Sequence, residues 1–164
     1  MKKLFIPLLL LFFIFGYYLG INSKSENLSK ITESKTKTNN ILENEVGYIK
    51  NKGFTSNNTN FKYNQPFIAL IGTCSGSVDG YCHKAFFFYN GKFLGNDSDS
   101  PSIDVGLKWI NGNIIALDYT LYKKEDPLSS PTGGSAIVRF QYEGNAIKAL
   151  DPIPSTDINA TLHR

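Results

Sequence analysis

The stretch "IDVGLKWINGNIIALDYTLY" (residues 103–122) decides the fold class. Val105, Leu107 and Trp109 alternate with polar or small residues up to Asn111-Gly112, and Ile115, Leu117, Tyr119 and Leu121 alternate again beyond it. A period of two on both sides of an Asn-Gly pair reads as two antiparallel strands joined by a hairpin. A two-residue loop at Asn111-Gly112 would set Val105 across from Asp118, apolar against charged. A three-residue loop, Ile110 to Gly112 with Gly112 left-handed, sets Leu107 across from Ile115 and Val105 across from Leu117. All seven apolar side chains then share one face, and Lys108, Asp118 and Thr120 take the other. A slip of one residue reverses every side chain, so the pattern predicts the three-residue, bulged turn.

The same punctuation recurs at "FYNGKFL" (88–94) and "QYEGNAI" (141–147), which predicts consecutive hairpins. Strands are expected over 65–73, 84–89, 92–94, 103–110, 113–122, 135–142 and 146–150. In "AFFFYN" (85–90), Phe86 and Phe88 point one way and Phe87 and Tyr89 the other, as in a central strand covered on both faces. A cover is at hand in "NNILENEVGYIKNKG" (39–53), where Leu42, Val46 and Ile49 form one helical stripe. Asn40 caps its start, Gly53 stops it, and acids precede bases along it, as the helix dipole favours. The expected fold is α+β: one helix over 41–52 packed on an antiparallel meander of about six strands.

Before the helix, residues 22–40 are polar and mixed in charge, with Leu28 and Ile31 their only aliphatics, and read as a flexible stalk. Residues 1–21 read as a signal or membrane anchor: Lys2 and Lys3, then an uncharged run from Leu4 to Ile21. Such a run spans about 27 Å as a helix, close to the hydrocarbon thickness of a bilayer. The lysines stay cytoplasmic, which sends the 41–164 domain to the extracytoplasmic side. The boundary "GYYLGINS" lacks small residues of the A-x-A type, which favours an uncleaved anchor; cleavage would make the product secreted. The expected partners are the bacterial cytoplasmic membrane, through residues 4–21, and another envelope protein or ligand. Net charge is +3, two units of it from the n-region lysines, with no basic stripe, so nucleic acid is not an expected partner.

The only two cysteines lie in "IGTCSGSVDGYCHK" (71–84), where Cys74 ends one strand, Cys82 begins the next and Asp79-Gly80 turns the chain between them. In an oxidising compartment a disulfide is expected. The rival reading gathers Cys74, Cys82, His83 and Asp79 around a metal, but structural zinc wants closely spaced ligand pairs, and the second pair is missing. No C-x-x-C redox motif, no G-x-S-x-G elbow and no phosphate-loop lysine beside "PTGG" (131–134) occur, so no cofactor is expected. "GNDSDSPSID" (95–104) carries Asp97, Asp99 and Asp104, but Pro101 breaks the calcium-loop pattern and a solvated acidic loop is expected.

Together "GTCSGSVDGYCHKAFFFYNGKFLGNDS", "LKWINGNIIALDYTLYKKEDP", "PTGGSAIVRFQYEG" and "LDPIPS" resemble the LppP/LprE-type bacterial lipoproteins over about residues 70–155. The resemblance implies an exported, surface-held protein and supplies no catalytic residue or ligand. It also implies a lipid-bearing cysteine early in the chain and a cysteine pair before "PTGG". This sequence has no cysteine before Cys74, and Ser129 and Ser130 stand before "PTGG". A protein anchor is therefore expected in place of the lipid.

The functional expectation is a non-enzymatic binding or structural module of the cell envelope. Two loops, "CSGSVDGYC" and "EDPLSSPTGGS", are the expected contact surface, since rigid strands position them. Ser75, Asp79, Tyr81, His83, Ser129, Ser130 and Thr132 are their candidate contact residues. The alternative is a small hydrolase or metal-dependent enzyme working through Asp79 and His83.

Overall fold

The structure is a computed structural model and describes residues 42–56 and 65–164. The expected anchor, stalk and helix cap lie outside those residues. Among the described residues no helix is long and apolar enough to cross a membrane.

One helix, α1, covers residues 42–51. Eight strands follow: β1 (Phe54–Ser56), β2 (Phe67–Cys74), β3 (His83–Tyr89), β4 (Lys92–Asn96), β5 (Val105–Asn111), β6 (Ile114–Thr120), β7 (Ser135–Glu143) and β8 (Ala146–Ala149). They do not form the single meander that the repeated turns suggest. The chain builds two four-stranded antiparallel sheets, β1-β2-β3-β4 and β5-β6-β7-β8. Within each sheet neighbours in sequence are neighbours in space. Only the β4–β5 connection, through the loop at 97–104, changes sheet.

Burial explains the layering. Phe67, Ala69, Ala85 and Phe87 of the first sheet share one core with Val105, Ile115, Leu117, Tyr119, Val138 and Phe140 of the second. On the first sheet's other face, Leu70, Phe86 and Phe88 pack with Ile49, Val46 and Leu42 of α1. The double-sided aromatic pattern of β3 is therefore met as expected: Phe86 and Phe88 face the helix, Phe87 faces the second sheet. Tyr48 of α1 stacks on Phe93 at 4.6 Å between ring centroids.

The register expected for the decisive hairpin is wrong, for an instructive reason. Asn111 pairs with Ile114, so the loop is the two residues Gly112-Asn113. The odd residue sits inside β5: Leu107 pairs with Leu117 and Trp109 with Ala116, leaving Lys108 as a bulge. A bulge shifts the alternation by one, so Ile110 turns inward beside Val105 and Leu107 while Trp109 turns out and is 40% exposed. The apolar face needed one extra residue, and the strand supplies it rather than the turn. Two of the three similar turns are Gly-Asn loops with positive φ at the glycine alone (Gly112 +60°, Gly144 +70°). The third, Asn90-Gly91, carries positive φ at both residues, the requirement of a type I′ turn.

Glu45 lies on the stripe that α1 buries. It is 2% exposed and its Oε2 has no hydrogen-bond partner. Burial raises its pKa from 4.5 to about 7. The folded state therefore binds a proton more tightly than the unfolded chain, and stability falls as pH rises between those two values. Glu45→Gln is expected to stabilise the protein by about 2 kcal/mol at pH 8, an advantage that shrinks toward zero below pH 4.5. Urea unfolding of both proteins across that range checks it, and an advantage independent of pH would contradict it.

Candidate functional site

Two loops share one end of the sandwich. The first is closed by the Cys74–Cys82 disulfide, with Cα atoms 5.4 Å apart. The backbone closes it too, Cys74 N donating to Cys82 O at 2.9 Å. Cross-linking a loop of about nine residues contributes roughly 2.5 kcal/mol in the chain-entropy model. Inside the loop, Oδ1 of Asp79 accepts from Ser77 Oγ at 2.9 Å and from Tyr81 N at 3.2 Å. Those bonds hold the Asp79 carboxyl below its ordinary pKa. Ser75 N donates to Gly53 O at 2.8 Å, tying the loop to the end of α1, and Val78 stands fully exposed.

The second loop, between β6 and β7, is clamped by one carboxylate. Asp126 Oδ2 accepts from Lys123 N at 2.8 Å and Thr132 N at 2.7 Å, and Oδ1 accepts from Thr132 Oγ1 at 2.9 Å. The backbone bonds come first among the causes that lower its pKa. Gly133 lies flat on the strand end: its N donates to Leu121 O at 3.0 Å, and a Cβ there would fall 2.5 Å from that same oxygen. Ser129, Ser130 and Thr132 remain exposed on this braced frame.

Tyr122, itself 2% exposed, opens the second loop, and its N donates to His163 O at 2.8 Å. Its hydroxyl donates to Leu128 O at 3.2 Å. Burial raises its pKa, and Asp104, Tyr81 and Asp126 nearby raise it further.

Asp79 and His83 are not brought together. Asp79 is occupied by Ser77 and Tyr81, whereas His83 Nδ1 lies 2.9 Å from Ile103 O and 3.8 Å from Asp104 Oδ1. A carbonyl can only accept, so Nδ1 donates in that bond. The reason is the strand pairing: His83 N and O bond to Ser102, which turns the ring toward 103–104. Asp104 Oδ2 in turn accepts from Thr120 Oγ1 at 2.8 Å. Among the described residues no group of three or more His, Cys, Asp or Glu is arranged to hold a metal ion.

The 97–104 loop is only in part the solvated acidic loop that its composition suggests: Asp99 is exposed and Asp104 half-buried, but Asp97 turns inward. Asp97 is 4% exposed; Oδ1 accepts from Ala85 N at 2.9 Å and Oδ2 from Tyr119 OH at 2.8 Å. Burial raises its pKa against the opposing pull of those bonds and of Arg164 and Lys84. The Arg164 guanidinium, 5.5 Å from the Tyr119 ring centre, donates to Pro154 O at 2.7 Å and to Ser102 Oγ. Asp97, Ser98, Pro154, Ser155 and Arg164 border an open cleft of about 620 Å³. Their polar atoms are largely spent on one another, so the cluster closes the sandwich rather than reaching outward. The one sequence signal for it was Tyr119: an inward-facing tyrosine needs a buried partner for its hydroxyl.

The family model described as LppP/LprE lipoprotein matches residues 59–145, a span that takes in β2 to β7 and both loops. No curated protein and no solved structure matches the chain.

Proposed function

We propose, from the premise that this chain belongs to the LppP/LprE lipoprotein family and is a bacterial envelope protein, that it works as a non-enzymatic binding module held at the membrane by residues 4–21. Its contact surface is the pair of loops at 74–82 and 125–135. The observation that carries this reading is the bracing within each loop. A disulfide and Asp79 fix one loop, and Asp126 fixes the other. Preformed loops lose little conformational entropy on binding, which favours recognition by a fixed surface. The carboxylates of Asp79 and Asp126 are engaged in holding the loops, which supports a binding role over a catalytic one.

Site-specific photo-crosslinking of the full chain in its native envelope tests the reading. Crosslinkers at Val78 and Ser129 are expected to capture the same species, and one at Asn145, in the β7–β8 turn, to capture none of it. Equal capture from all three positions, or none from either loop, would refute the loop surface.

A further inference from the structure

We propose that the outer face of the second sheet is a saccharide-binding platform centred on Trp109. The bulge at Lys108 is what puts Trp109 there, and it exposes 40% of the one tryptophan in the chain. Across the strands, Trp109, Ala116 and Arg139 form one outward row, and Gly106, Asp118 and Ile137 form the next. Ala116 is completely buried although it faces outward, so the side chains beside it close over it. Gly106 has open space where a side chain would stand. The result is an exposed indole with a glycine, and no side chain, in the next row of its strand.

The charged groups on this face come as pairs. Lys108 Nζ lies 2.9 Å from Asp118 Oδ2, and Arg139 grips Asp151 with two bonds of 2.8 Å. The pairs cancel, so the face offers donors and acceptors in fixed positions without net charge. Neutral hydroxyl groups suit such pairs; an ionic ligand would have to break them. Ile137, 48% exposed, is separated from Trp109 by the Lys108–Asp118 pair, so no continuous apolar strip exists for a lipid or an amphipathic helix. A sugar ring matches both halves of the arrangement, with its C–H face against the indole and its hydroxyl edge toward the ion pairs. The first sheet's outer face is covered by α1; among the described residues no helix or strand covers this one.

The platform is independent of the loops. Tyr122, at the start of the second loop, lies six positions beyond Ala116, roughly 20 Å of extended chain. Each surface can therefore fail without the other.

Because Trp109 is the sole tryptophan, its emission reads the face directly. The full chain in lipid nanodiscs is titrated with N-acetylglucosamine tetrasaccharide and, separately, with glucose tetrasaccharide. A saturable change in emission is expected with at least one of them. Trp109→Ala, followed by calorimetry, should weaken binding by about tenfold or more. Gly106→Leu, which puts a side chain in that row without touching the core, should weaken it to a similar degree. No saturable change with either sugar up to about 10 mM overturns the proposal. So does an emission shift that follows protein concentration and ignores sugar, because a second copy then covers the face.

Discussion

Phe87→Ala is expected to remove about 3–5 kcal/mol of stability, the range for truncating a fully buried phenylalanine. Phe87 has no exposed surface and lies between Phe67 and Phe140, at 5.9 and 4.9 Å between ring centroids. Its neighbours across the first sheet are Ala69 on β2 and Gly95 on β4. Both are small, so neither strand neighbour can fill the hole, and the penalty belongs at the upper end of the range. Domains hold only about 5–15 kcal/mol in all, so the variant sits near the edge of folding. Phe93→Ala, on the half-buried ring under Tyr48, serves as the comparison and should lose much less. Urea unfolding of both variants decides the matter. If Phe93→Ala proved the costlier, the inter-sheet layer would not be the main core.

The same ring shows what a single sequence discloses. β3 declared itself because both of its faces are apolar, and α1 because three aliphatics fell on one stripe. The disulfide followed from the cysteine spacing and the expected compartment. The division into two sheets was hidden, since each hairpin looks the same locally whether or not the next strand stays in its sheet. Trp109 was misplaced because a bulge within a strand shifts the alternation as a longer turn does, and the pattern alone cannot choose between them. Glu45 sits on an apolar stripe where sequence suggested only a dipole-friendly acid. The two loops were legible from turn residues, yet the hydrogen-bond partners within them were not. His83 meets Asp104 rather than Asp79 because of a backbone bridge to Ser102, a pairing that no local motif encodes.

Asp97 tests the other way the two sheets are joined. Its carboxylate links Ala85 N on β3 to Tyr119 OH on β6, a polar stitch at one end of the shared core. Asp97→Ala leaves both buried donors without an acceptor, and at about 1–3 kcal/mol for each the expected loss is about 3 kcal/mol. Asp97→Asn separates hydrogen bonding from charge. Its amide oxygen still accepts from Ala85 N, and its NH2 can donate to the Tyr119 oxygen, so a loss within about 1 kcal/mol is expected at neutral pH. The pH dependence has a definite sign. With the folded-state pKa raised above 3.8, the native protein holds the proton more tightly, so wild-type stability falls as pH rises from 3.8 through the folded value. Asp97→Asn does not titrate, so it should gain on wild type over that window and keep the gain at higher pH. Equal losses for Ala and Asn at pH 7 would mean that the negative charge facing Arg164 and Lys84, rather than the two accepted bonds, holds this end of the sandwich together.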